Sequence, residues 1–167
     1  MWIIFTGVAE FYNPGAKKMK KYLIIGLAVV LCLPAFLFCK EETNRLIGYW
    51  LTGDKTMKIE IYDNGDSTFA GKIIWLKEPN DKNGKPKMDT KNPDEKLRTR
   101  PLLEMVILTG LIPESNTKYK SGKLYDPNSG KTYSATIELV NNNTINIRYF
   151  IATPTLGRTD IWTRTSR

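Results

Sequence analysis

Histidine is absent from all 167 residues, and the two cysteines, Cys32 and Cys39, both fall in an apolar N-terminal run. The commonest general base and the commonest metal ligand are therefore missing. Ser-His-Asp and Cys-His nucleophile arrangements are excluded. Beyond Cys39, thiolate metal sites and structural disulfides are excluded as well. Carboxylates are what remains for chemistry. Asp89, Asp94, Asp126 and Asp160 could pair as acid and base, but nothing in their spacing argues for it. Two apparent motifs fail on inspection. Gly130-Lys131-Thr132 has the tail of a phosphate loop, yet Tyr125 stands where its first glycine is needed. Asp81, Asn83, Lys85 and Asp89 have calcium-loop spacing, yet Pro86 replaces the turn glycine and Asn92 the closing glutamate. Neither a metal nor a cofactor is expected, and the protein is read as non-catalytic.

The net charge is +8, with basic and acidic residues interspersed rather than gathered into a stripe. That pattern argues against a nucleic-acid partner. The N-terminal segment has its own logic. Tyr22 to Cys39 carries no charge, follows Lys20-Lys21 and precedes the polar stretch from Lys40. A basic head, an apolar run and a polar exit describe an export signal, which places the protein in the periplasm or attached to the membrane of a bacterial envelope. Cys39 is a candidate lipidation site, although Phe38 stands where a small residue is preferred. Lipoprotein, cleaved soluble protein and uncleaved anchor all stay open. The signal pattern begins afresh at Met19, so residues 1–18 are read as a mis-assigned extension, 19–39 as the leader and 40–45 as a linker.

The remainder, 46–167, must position any functional group, and its period is two. Met57, Ile59 and Ile61 alternate with Lys58 and Glu60; Tyr133, Ala135, Ile137 and Leu139 alternate with Thr132, Ser134, Thr136 and Glu138. Asp63-Asn64-Gly65-Asp66, Asp126 to Gly130 and Asn141-Asn142-Asn143 are turns. Strands are expected near 46–52, 57–62, 68–77, 103–112, 121–126, 132–140, 144–152 and 158–165. Eight short strands without a convincing amphipathic helix predict an all-β antiparallel sandwich or up-and-down barrel. Residues 78–101 are too rich in Pro, Gly, Asn and Asp for regular structure, and are read as a long solvated flap. A barrel leaves no free edge to extend, so a monomer is expected.

Gly48-Tyr49-Trp50 resembles the first-strand signature of lipocalins and their calycin relatives. That resemblance implies a tryptophan plugging one end, with a basic residue of the last strand, here Arg164, packed over it; Gly48, Trp50 and Arg164 would then be structural. A wider set of segments resembles the bacterial family called domain of unknown function 2147. They are Gly48-Tyr49-Trp50, Gly71 to Leu76, Asp89-x-x-Asn92-Pro93-Asp94 and Leu97-Arg98-x-Arg100-Pro101-Leu102-Leu103. Gly122-x-x-Tyr125-Asp126-Pro127-x-x-Gly130-x-x-Tyr133 and Leu156-Gly157-Arg158-Thr159-x-x-Trp162 complete it. One departure is Glu104, where the family is expected to carry glycine. The family implies a small exported β-protein and no activity.

The resemblance nominates Asp89, Asn92, Arg98, Arg100, Tyr125, Asp126, Tyr133 and Arg158 as ligand-binding candidates around a cavity mouth. The bland alternative for each is structural: a turn cap, an Arg–Asp pair or a core tyrosine. The expected function is binding of a small, partly apolar, lipid-like molecule, with Arg98 or Arg158 meeting an anionic headgroup. A solid barrel whose flap docks to an envelope partner is the second reading, and a carboxylate hydrolase the third. An apolar cavity above about 300 Å³ would favour the binder, and a filled core the second reading. Two carboxylates facing each other in a cleft would favour the hydrolase.

Overall fold

The computed structural model describes residues 44–167; the leader, Cys39 and the extension 1–18 lie outside the described residues. Eight strands close into one antiparallel up-and-down barrel: β1 (Gly48–Leu51), β2 (Met57–Asp63), β3 (Phe69–Leu76), β4 (Val106–Pro113), β5 (Lys118–Asp126), β6 (Lys131–Asn141), β7 (Thr144–Phe150) and β8 (Arg158–Thr165). Closure is made by β1 against β8, with Trp50 opposite Arg164. Every strand thus finds two partners, and no edge is left to template aggregation. Among the described residues no helix is long and apolar enough to cross a membrane.

The period-two pattern works as expected where it is unbroken. Ile59 and Ile61 of β2, Ile137 and Leu139 of β6, and Ile145 and Ile147 of β7 are all buried. With Trp50, Ile73, Leu108 and Leu111 they fill the barrel interior. At about 25 cal/mol per Å² of apolar surface, such side chains each contribute roughly 1.5–3 kcal/mol.

Three expectations need correction. First, β4 starts at Val106 rather than 103. Glu104 has φ 66°, a left-handed backbone that interrupts regular strand pairing, and the Leu102 amide bonds to Lys87 O instead of a ladder. Second, β5 starts at Lys118, three residues earlier than expected. Ser121, at φ 63°, makes a bulge between Tyr119 and Gly122, so the alternation breaks and the strand is hidden from a periodicity reading. Third, the flap is not a loose solvated loop. It contains a short 3-10 turn (Glu95–Leu97), antiparallel bridges Asn80–Pro86 and Met88–Pro101, and two buried polar residues, Asp89 and Asn92.

Candidate functional site

The strands run between two unlike ends. At one end, β1 begins and β8 finishes. Trp50 is fully buried there, and its indole N–H donates to Leu46 O at 2.9 Å. The Arg164 guanidinium lies 4.3 Å from the Trp50 ring centroid. It donates to Asn142 O at 2.7 Å, to Ile47 O at 3.0 Å and to Arg45 O. A side chain at position 48 would collide with the Arg164 guanidinium, and Gly48 has φ 138°. The glycine is required by this crossing. Tyr119 closes the same end by donating to Asn44 Oδ1 at 2.5 Å. Gly48, Trp50 and Arg164 together make a plug.

The other end is ringed by the β1–β2, β5–β6 and β7–β8 turns and the flap. It holds a cavity of about 220 Å³. Met57, Ile107, Leu124 and Trp162 form its floor and walls, with Tyr125, Tyr133 and Tyr149 and the carboxylates Asp54, Asp126 and Asp160 around them. Tyr133 and Tyr149 meet edge to face, ring centroids 5.6 Å apart. Period-two geometry explains the selection. Asp160 and Trp162 share the inward face of β8 with Arg164, and Asp160 stands opposite the buried Ile147. Asp160 Oδ2 accepts the Trp162 indole N–H at 2.7 Å and the Gly53 amide at 3.4 Å. Asp126 caps its own turn, accepting from the Asn128 amide at 2.9 Å and the Ser129 hydroxyl at 2.6 Å.

Electrostatics at this end are set by hydrogen bonds. Burial tends to raise the Asp54 carboxyl, but hydrogen bonds from Thr52 and Thr56 outweigh it and hold Asp54 below the ordinary range. That is the opposite of the raised carboxyl a general acid needs at neutral pH. Burial first, and Asp160 next, push the Tyr149 hydroxyl up, keeping it neutral.

The flap is anchored beside this cavity by one buried carboxylate. Asp89 is fully buried. It accepts from the Tyr125 hydroxyl at 2.5 Å, Asn92 Nδ2 at 2.7 Å, Arg100 Nε at 3.1 Å and Arg100 Nη2 at 2.9 Å. Burial tends to raise Asp89, but these bonds and the Arg100 charge leave it below the ordinary range. Burial and Asp89 together push Tyr125 up to about 12. Gly130 seals the other side. It sits at φ 71°, and a Cβ there would overlap Lys91 O of the flap.

Of the eight nominated residues, the fold brings three, Tyr125, Asp126 and Tyr133, into the cavity lining, and Tyr125 also lines a shallow depression under the flap. Asp89, Asn92 and Arg100 form the anchor. Arg98 lies away from the mouth, donating to Asn92 O at 2.8 Å and Glu95 Oε1 at 3.0 Å. Arg158 is exposed at the start of β8, opposite Tyr149 in the ladder. Of the carboxylates weighed for chemistry, Asp126 and Asp160 share the cavity, while Asp94 caps the flap's 3-10 turn. Asp81 accepts the Asn83 and Lys85 amides and closes a tight turn, pointing to no shared site with Asp89. Sequence reasoning missed Asp54, Tyr149 and Trp162 as site residues, and weighed Asp160 only as a carboxylate for acid–base chemistry. For β8 the signal was available, since counting back by two from Arg164 marks Trp162 and Asp160 as inward.

No curated protein matches the chain. Among solved structures, protein HP1028 from the human pathogen Helicobacter pylori, described as belonging to the lipocalin family, superposes with a TM-score of 0.65 at 28% identity. The alignment covers 72% of this chain and 83% of that one. The family model described as "Uncharacterized protein conserved in bacteria (DUF2147)" matches residues 48–164, from the glycine that Arg164 crosses to Arg164 itself. The chain belongs to that family, and its fold is a lipocalin-like barrel.

Proposed function

We propose that this chain is an exported, non-catalytic bacterial envelope protein that binds one small, partly apolar molecule in the mouth of its barrel. The carrying observation is the asymmetry of the two ends: one is plugged by Trp50, Leu46 and Arg164, while the other keeps a 220 Å³ aromatic-lined space. The lipocalin-like fold supports the reading, because eight-stranded barrels of this type can hold one small ligand. At 220 Å³ the cavity falls short of the roughly 300 Å³ that would favour the binder by size, so the reading rests on the asymmetry and the fold rather than on size. The volume suits a compact molecule or the head of an amphiphile better than a whole acyl chain. Export rests on the leader pattern of residues 19–39.

The second reading, a solid barrel whose flap docks to an envelope partner, draws its support from the filled interior below Trp162. Native mass spectrometry of the full chain, purified gently from its host, separates the two. A co-purifying small molecule that leaves on denaturation is expected. An unadorned mass, unchanged after incubation with envelope lipid extract, contradicts the binder and leaves the docking reading.

A further inference from the structure

The chain carries a net charge of +8, yet every charged residue lining the mouth cavity is acidic: Asp54, Asp126 and Asp160. Three carboxylates therefore line one small space with no cation among its lining residues. Their hydrogen bonds all come from neutral donors: Thr52 and Thr56, Asn128 and Ser129, and Trp162, Gly53 and Ile161. Among the described residues none of the three takes part in a salt bridge. The contrast with Asp89 is sharp, since that carboxylate has Arg100 at 2.9 Å.

The remaining wall chemistry has the same bias. Four aromatic residues, Tyr125, Tyr133, Tyr149 and Trp162, line the space. Aromatic faces attract cations and disfavour anions placed over them. The hydroxyls of Tyr133 and Tyr149 make no hydrogen bond to any described residue, so both are free to receive N–H donors.

The geometry points to a small organic cation, an amine or ammonium attached to a compact apolar group, as the ligand class of this cavity. The ammonium would sit between Asp160, Asp126 and the tyrosine hydroxyls, with its apolar part on Met57, Leu124 and Trp162. This inference rests on the reading of the mouth as the ligand end, and it replaces an anionic headgroup with a cationic one. Arg158 then acquires a different role. Exposed on the rim and opposite Tyr149, it is the cation nearest the site in the β8 ladder, and it weakens a cationic ligand instead of gripping an anionic one.

The test uses three near-isosteric probes, benzylammonium, benzyl alcohol and benzoate, titrated calorimetrically into the full chain at low salt. The expected order is benzylammonium tightest, by about tenfold over the alcohol, with benzoate weakest, since a fully exposed charge pair would give less and a desolvated one more. Asp126→Asn should weaken benzylammonium several-fold and leave benzyl alcohol unchanged. Because Asp126 also caps a turn, Arg158→Ala provides an independent check on an exposed residue that makes no hydrogen bond. It should tighten benzylammonium about threefold, and the gain should shrink at high salt. Benzoate binding tightest, or Arg158→Ala weakening the preferred probe, overturns the cation inference and keeps the mouth as a ligand site. Equal affinity for all three does the same. Failure of all three probes to bind overturns both.

Discussion

The two ends of the barrel are built from similar residue types to opposite effect. At the plugged end, an arginine and a tryptophan meet and satisfy each other: Arg164 covers Trp50 and donates to three carbonyls. At the mouth, Trp162 meets an aspartate and Tyr125 meets Asp89, while the hydroxyls of Tyr133 and Tyr149 bond to no described residue. Polar groups turned toward backbone make a lid of the first. Polar groups turned toward a cavity leave the second open. The difference teaches that the same residue types serve either end according to what they face, since among the described residues no buried side-chain polar atom lacks a partner at either.

That contrast predicts unequal costs of substitution. Trp50→Ala should be the most damaging change, destabilising by about 4 kcal/mol in chemical denaturation, because it empties the plug and leaves a cavity. The comparable mouth substitution, Tyr149→Phe, removes only a free hydroxyl and should move stability by less than about 0.5 kcal/mol. If the two variants cost the same, the plug-and-mouth distinction fails.

Asp89→Ala comes next. Removing the carboxylate unpairs Arg100, Asn92 and the Tyr125 hydroxyl, and should cost about 2–3 kcal/mol, given the partial exposure of Arg100. Limited proteolysis should then cut within 78–101 faster than in the parent chain. The same anchor sets a pH window. Asp89 titrates lower when folded than unfolded, so its stabilisation is present above the ordinary carboxylate value of 3.8 and lost as pH falls below it. Tyr125 titrates higher when folded, about 12 against 10, so its contribution is present below pH 10 and lost between about 10 and 12. Tyr125→Phe should flatten the alkaline limb of a stability–pH curve, without abolishing the limb, since Tyr119 and Tyr149 are also raised.

The smallest effect is expected at Glu104. Its φ of 66° costs roughly 1 kcal/mol in a non-glycine residue, while its exposed bond to Lys72 returns less than that. Glu104→Gly should therefore raise stability by about 0.5 kcal/mol, measurable as a small increase in midpoint denaturant concentration.

Much of the barrel was legible because alternation is the sequence image of a two-faced strand. Ile59, Ile137 and Ile147 announce their inward faces directly. Legibility failed where backbone conformation interrupts the period. Ser121 hides the start of β5, and Glu104 delays β4, and neither residue type advertises a left-handed φ. The site was half legible. Motif resemblance gathered Tyr125, Asp126 and Tyr133, which the fold places at the cavity, together with Asp89, Asn92 and Arg100, which form the flap anchor. Asp54 was invisible, since its place at the mouth depends on barrel closure bringing the β1–β2 turn beside β8.

The most direct test of the central claim follows the two indoles. In a ¹⁵N-labelled full chain, the N–H signals of Trp50 and Trp162 report the plug and the mouth separately. Titration with benzyl alcohol and benzylammonium should shift the Trp162 signal saturably and leave Trp50 in place. A shift of Trp50 with Trp162 unmoved, or no shift of either, would contradict the assignment of the mouth as the ligand end.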